Sequence, residues 1–223
     1  VTRQSPVFAA VVIAAAVAAV SVAAGQADPL AARLRGGDLP VVPVQAVSGG
    51  EVLLSLNVSD GGAVGPIDVL RSTQPFTDAV VAVVRGWRFA PAQDALRKPV
   101  ASRVLVGAMF GAPTFNTPTV GEPAKDLAPA ATALPMPLTT PMPAFPPNAR
   151  SGGTVLIETL VAPSGRVVGV TVLRSAPPFD DPAMESARAW SFRPPQGAGL
   201  PANTYAYLIF AFRSPVVGGS SRP

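Results

Sequence analysis

Two stretches decide the fold: GEVLLSLNVSDGGAVGPIDVLRSTQPFTDAVVAVVRGWRFAP at residues 50–91 and GTVLIETLVAPSGRVVGVTVLRSAPPFDDPAMESARAWSFRP at residues 153–194. They align without a gap at an offset of about 103 residues, and the match runs from residues 42–92 onto 145–195. Shared positions include Gly50/Gly153, Val58/Val161, Gly62/Gly165, Val64/Val167 and the block Val69-Leu70-Arg71-Ser72 against Val172-Leu173-Arg174-Ser175. They continue through Pro75-Phe76/Pro178-Phe179, Asp78/Asp181, Arg85/Arg188, Trp87/Trp190, Phe89/Phe192 and Pro91/Pro194. Self-similarity of this length at one spacing predicts two copies of one module.

Within each copy the pattern changes period in the same places. Val52, Leu54, Leu56 and Val58 alternate with Ser55, Asn57 and Ser59, which predicts a strand with one buried face. Asp60-Gly61-Gly62 and Pro163-Ser164-Gly165 supply turns, and β-branched strands follow over 64–71 and 167–174. Phe76, Val80, Val83, Val84 and Trp87 fall at helical spacing, as do Phe179, Ala183, Ala187 and Trp190. Asp78 and Asp181 suit the exposed N–H groups of a first helical turn, and the tryptophans continue the buried stripe as core anchors. A third strand covers 103–110 and 205–212. The fold class is α+β: two tandem ββαβ modules, each a three-stranded antiparallel sheet with one packed helix.

In such a sheet the strand after the helix lies beside the first, so strands two and three are the edges. Pro66 fits an edge, where a missing N–H is tolerated. Strand three of the second copy, TYAYLIFAF, is long and apolar and carries no charge or proline. An edge of that kind needs a cover. A partner strand can supply it, and so can edge-to-edge pairing of the two copies within one chain.

Composition excludes much chemistry. The 223 residues contain no histidine and no cysteine, so Ser–His–Asp and Cys–His nucleophile systems, imidazole or thiolate metal sites and disulfides are all ruled out. Neither a cofactor nor a catalytic centre is expected. Asp180, Asp181 and Glu185 form the nearest thing to a carboxylate cluster, with nothing around them to support glycosidase-like work. The net charge of +4 comes from scattered arginines, with only Lys98 and Lys125 as lysines, and no basic stripe points to nucleic acid. Residues 7–24 are an uncharged apolar run after Arg3, followed by a small-residue, proline-containing exit. They read as a secretory signal peptide or as a membrane anchor spanning about 27 Å. Intact-mass measurement on membrane and periplasmic fractions separates the two.

With these residues in view, each copy resembles the C-terminal domain of the TonB energy-transducer family. The second copy carries the resemblance through Phe145-Pro146, Ala149-Arg150, Gly153-Thr154-Val155, Gly165, Arg174-Ser175 and Trp190-Ser191-Phe192-Arg193-Pro194. The first is more degenerate: Val42-Pro43 replaces the aromatic-proline pair, while Ala46 and Trp87-Arg88-Phe89-Ala90-Pro91 hold. The resemblance implies a non-enzymatic periplasmic protein that captures the TonB-box segment of a TonB-dependent outer-membrane receptor by strand addition. It also implies coupling to an ExbB–ExbD-type motor through the inner membrane, if residues 7–24 are a retained anchor. The partner-binding residues would be Tyr205, Ala206, Tyr207, Leu208, Ile209 and Phe210, flanked by Phe145, Pro146 and Arg150.

The chain departs from the family in lacking an anchor histidine and in placing its Pro-rich stretch between the copies. The expected organisation is a signal or anchor at 1–27, a short linker at 28–41, a degenerate module at 42–110, a Pro-rich linker at 111–143, the fuller module at 144–214 and a disordered tail at 215–223. Fully extended as polyproline II, the linker would separate the copies by up to about 100 Å. The alternative function is a periplasmic structural or interaction adaptor with no energy coupling.

Overall fold

The computed structural model describes residues 28–44, 46, 48–112, 134–197 and 200–214. The apolar run at 7–24, the core of the Pro-rich stretch at 113–133 and the tail at 215–223 lie outside the described residues. The first half contains β1 (Arg33–Gly36), β2 (Gly50–Val58), β3 (Val64–Arg71), α1 (Phe76–Val84), β4 (Arg88–Ala90), β5 (Ala92–Gln93), β6 (Pro99–Val100) and β7 (Ser102–Phe110). The second contains β8 (Met136–Thr139), β9 (Gly153–Val161), β10 (Val167–Arg174), α2 (Asp180–Ala189), β11 (Ser191–Arg193) and β12 (Thr204–Phe212).

The hairpin turns hold each half together. Gly62 and Gly165 both sit at φ 81°, in the left-handed region that glycine enters without penalty. Their carbonyls accept the N–H of Phe89 and Phe192, each at 2.9 Å. The Trp-x-Phe-x-Pro stretch is therefore no helix tail: it is a short strand laid across the turn. That strand also pairs with a segment preceding each module, β4 with β1 and β11 with β8, both antiparallel. Residues 28–41 and 134–143, expected as linkers, thus carry strands of the folded body. The tryptophans fix those segments as well: Trp87 Nε1 donates to the Asp38 carbonyl at 2.9 Å and Trp190 Nε1 to the Pro141 carbonyl at 3.3 Å.

The helices start differently for the same purpose. The Thr77 hydroxyl accepts the Thr73 N–H at 2.9 Å, closing the turn before α1. Asp180 does this before α2, accepting the Ala176 N–H at 2.8 Å and the Ser175 hydroxyl at 2.5 Å. The carboxylate singled out for possible acid–base work is occupied in holding a turn.

The strands form one six-stranded sheet, in the order β10-β9-β12-β7-β2-β3. Pairing is antiparallel inside each half, as expected, with β3 and its Pro66 at one edge. Strand three, however, is an edge in neither half. β7 and β12 pair with each other in parallel, from Leu105↔Ala206 to Phe110↔Ala211, and fuse the two sheets. Edge-to-edge pairing within the chain thus covers TYAYLIFAF, and no 100 Å spacing separates the halves.

Parallel fusion puts the helices on opposite faces. One core gathers Phe76, Val80, Val84 and Trp87 over Val52, Leu54, Leu56, Val106, Ala108, Tyr207 and Ile209. The other gathers Phe179, Ala183, Ala187 and Trp190 over Leu53, Leu105, Val155, Ile157, Leu208 and Phe210. Each tryptophan reaches across the seam, Trp87 edge-on to Tyr207 at 6.1 Å and Trp190 over Gly107. A Cβ at Gly107 would meet the Trp190 ring at 3.0 Å and the Leu208 side chain at 3.2 Å.

Two substitutions test this architecture by urea unfolding. Gly165→Ala is expected to destabilise by at least about 1–3 kcal/mol, because the left-handed backbone is strained for alanine. Its Cβ would also lie 1.9 Å from the Phe192 carbonyl oxygen. Gly107→Val is expected to cost about 1–3 kcal/mol by overpacking the seam; a neutral result would mean Trp190 does not close on β7.

Candidate functional site

Strand addition needs an unpaired sheet edge, so the place of each expected site residue in the sheet decides whether it is open to a partner. Ala206, Tyr207, Leu208, Ile209 and Phe210 are fully buried in β12, between β9 on one side and β7 on the other. The open edge expected there is absent in this structure. Tyr205, half-buried at the start of β12, carries the Arg33 guanidinium 5.4 Å from its ring centroid. Phe145 packs edge-on to Phe179 at 5.5 Å, and Phe179 stacks on Phe212 at 4.6 Å. Pro146 is buried and its carbonyl accepts the Ala149 N–H, while Arg150 is exposed. These three therefore sit near the C-terminal end of β12, with Tyr205 at the opposite end.

A group that the sequence reading did not single out lies at the centre of the sheet. Glu158, buried to 3% exposure on β9, receives Arg33 Nε and Nη2 at 2.9–3.2 Å. Tyr207 donates its hydroxyl to Glu158 Oε2 at 3.2 Å and accepts the Leu34 N–H at 2.7 Å. Burial pushes the Tyr207 phenol well above its ordinary range, so the hydroxyl stays protonated as a donor. The hydrogen bond and negative charge of Glu158 raise Arg33 further above its usual value. The network ties β1 of the first half to β9 and β12 of the second. At the corresponding place on the other face the chain has Met136, Ser55 and Leu105, and the Ser55 hydroxyl is buried without a partner. The available signal was Glu158 itself, a lone carboxylate inside the apolar strand TVLIETLV.

Among the described residues no group of three or more carboxylates is placed to hold a metal ion, and no helix is long and apolar enough to cross a membrane. The six-stranded sheet ends in two edge strands, β3 and β10. The body is a mixed α+β fold, two helices on an antiparallel-rich sheet whose end strands offer main-chain groups for pairing. Within it, residues 141–213 match the family model for the Gram-negative bacterial TonB protein C-terminal. The matched stretch takes in Trp190, whose indole bonds Pro141, together with β9, β10, α2, β11 and β12. The match is to this one stretch, and no curated protein matches the chain.

Tyr207→Phe is expected to cost about 1–3 kcal/mol, since it leaves the Leu34 N–H without its acceptor and takes a donor from Glu158. Tyr205→Phe keeps the ring under Arg33 and is expected to stay within about 0.5 kcal/mol of wild type. Equal effects in urea unfolding would remove the network from any role in joining the halves.

Proposed function

We propose that the chain is a TonB-like protein of the Gram-negative envelope. It engages segments of outer-membrane TonB-dependent receptors by strand addition and supports energy-coupled transport. Both halves act as TonB C-terminal-type modules, the first of them degenerate. The observation that carries this reading is the family match at residues 141–213. Support for the second module comes from the recurrence of the same elements, turns and tryptophan bonds at an offset of about 103 residues.

Strand addition at Tyr205–Phe210, beside Phe145, Pro146 and Arg150, has one condition: β7 must first leave β12, because both sides of that strand are already paired. That same observation favours a second reading, an adaptor in which the first half keeps the strand filled and no energy coupling takes place.

A fluorescent peptide carrying the TonB box of a TonB-dependent receptor is expected to bind the full chain saturably. In-cell crosslinking is expected to link the chain to an ExbB–ExbD-type motor. Peptide binding without motor crosslinks selects the adaptor; no peptide binding sinks the receptor reading itself.

A further inference from the structure

β3 and β10 occupy the same place in their halves and end the sheet on either side, yet they are not equivalent edges. Pro66 of β3 is answered by Gly169 in β10, and Asp68 by Thr171. A proline withholds an N–H from an incoming strand and a charge at an edge discourages pairing, so the first edge is blunted twice. The second carries neither device, and its Val168 is 59% exposed.

The charges at the ends of the two strands differ as well. Arg71, closing β3, is paired with Glu51, and Asp68 lies 3.5 Å from Arg103. Thr154 stands where Glu51 would be in the second half, so Arg174, closing β10, lacks that carboxylate. Its guanidinium reaches the Leu173 and Gly37 carbonyls instead, at 3.4 and 3.5 Å. Before β10 begins, exposed Arg166 replaces Ala63; its backbone is bridged to Ser191, so the free edge starts at Val167 and Arg166 offers it only a side chain. β10 is thus an unblunted, β-branched edge bracketed by two exposed arginines.

We propose that this edge, with the seam closed, docks an extended segment of another protein whose β-branched centre is flanked by carboxylates. Arg166 and Arg174 set the spacing: the carboxylates stand about eight residues apart, about 26 Å in an extended chain. A second copy of this chain fits poorly, because full-length antiparallel pairing of β10 with itself would oppose arginine to arginine at both ends. The inference rests on the strand-addition reading above and adds to it the edge, the charge and the spacing.

The test is fluorescence anisotropy on the full chain with a nine-residue peptide of alternating valine and threonine, ending in aspartate at both ends. A control peptide ends in lysine. The aspartate peptide is expected to bind at least tenfold tighter, with the preference shrinking as salt rises. Gly169→Pro, which copies the first half's own edge, is expected to weaken binding at least tenfold. Arg166→Glu with Arg174→Glu is expected to invert the preference, and this surface pair carries the test if Gly169→Pro impairs folding. Equal binding of both peptides, or binding unchanged in these variants, overturns the proposal. So does self-association in sedimentation that Gly169→Pro abolishes, which would assign the edge to a second copy.

The receptor peptide is run alongside, with an Ala108→Cys/Ile209→Cys pair to lock the seam on oxidation. If that peptide ignores Gly169→Pro and is blocked by the oxidised lock, the β10 inference fails and the receptor reading stands. If the valine–threonine probe binds and the receptor peptide does not, the receptor reading fails and the docking edge stands.

Discussion

Parallel pairing of β7 with β12 dictates most of what surrounds it. Joining two three-stranded sheets through their third strands turns two edges into the centre of one sheet, and central strands must be covered on both faces. One helix cannot do that for six strands. Because the paired strands run parallel, the two halves are related by a rotation about the strand direction, and α1 and α2 fall on opposite faces. Val52 and Val155, equivalent in sequence, accordingly end up in different cores.

Much of each half was legible because local patterns and tertiary packing agree. The strands, the glycine turns and the helices emerged where the repeat placed them, and Pro66 marked an edge; β2, read as buried on one face, is buried on both, with Leu53 in the opposite core. The seam was harder to read, though TYAYLIFAF carried its signal. A strand with one wet face alternates; a run apolar at nearly every position is covered on both sides and belongs inside a sheet. As a bare edge that run called for a cover, either a partner strand or the other half, and the first half is the cover. The short strands β1, β4, β8 and β11 are not legible in the sequence because three or four residues are too few to show a period.

The candidate site was legible only in outline. Which edge of the sheet stays free depends on contacts between segments about one hundred residues apart, and no local pattern reports those. The network of Arg33, Glu158 and Tyr207 shows the same limit. Each partner comes from a different element, and only Glu158 looks out of place in its own strand. Its absence from the opposite face, where Met136, Ser55 and Leu105 stand, makes the two halves chemically distinct despite their shared outline.

That network also sets a load path. β1 lies near the N-terminal end of the described chain and is paired to β4 of its own half, but its Arg33 side chain and Leu34 N–H are bonded to Glu158 and Tyr207 of the other. Tension entering from the N-terminal side would therefore reach the second half through β1 directly. It need not travel through β7 and residues 113–133. The two halves would feel a pull together, as a single mechanical body, and the seam between β7 and β12 would carry little of it.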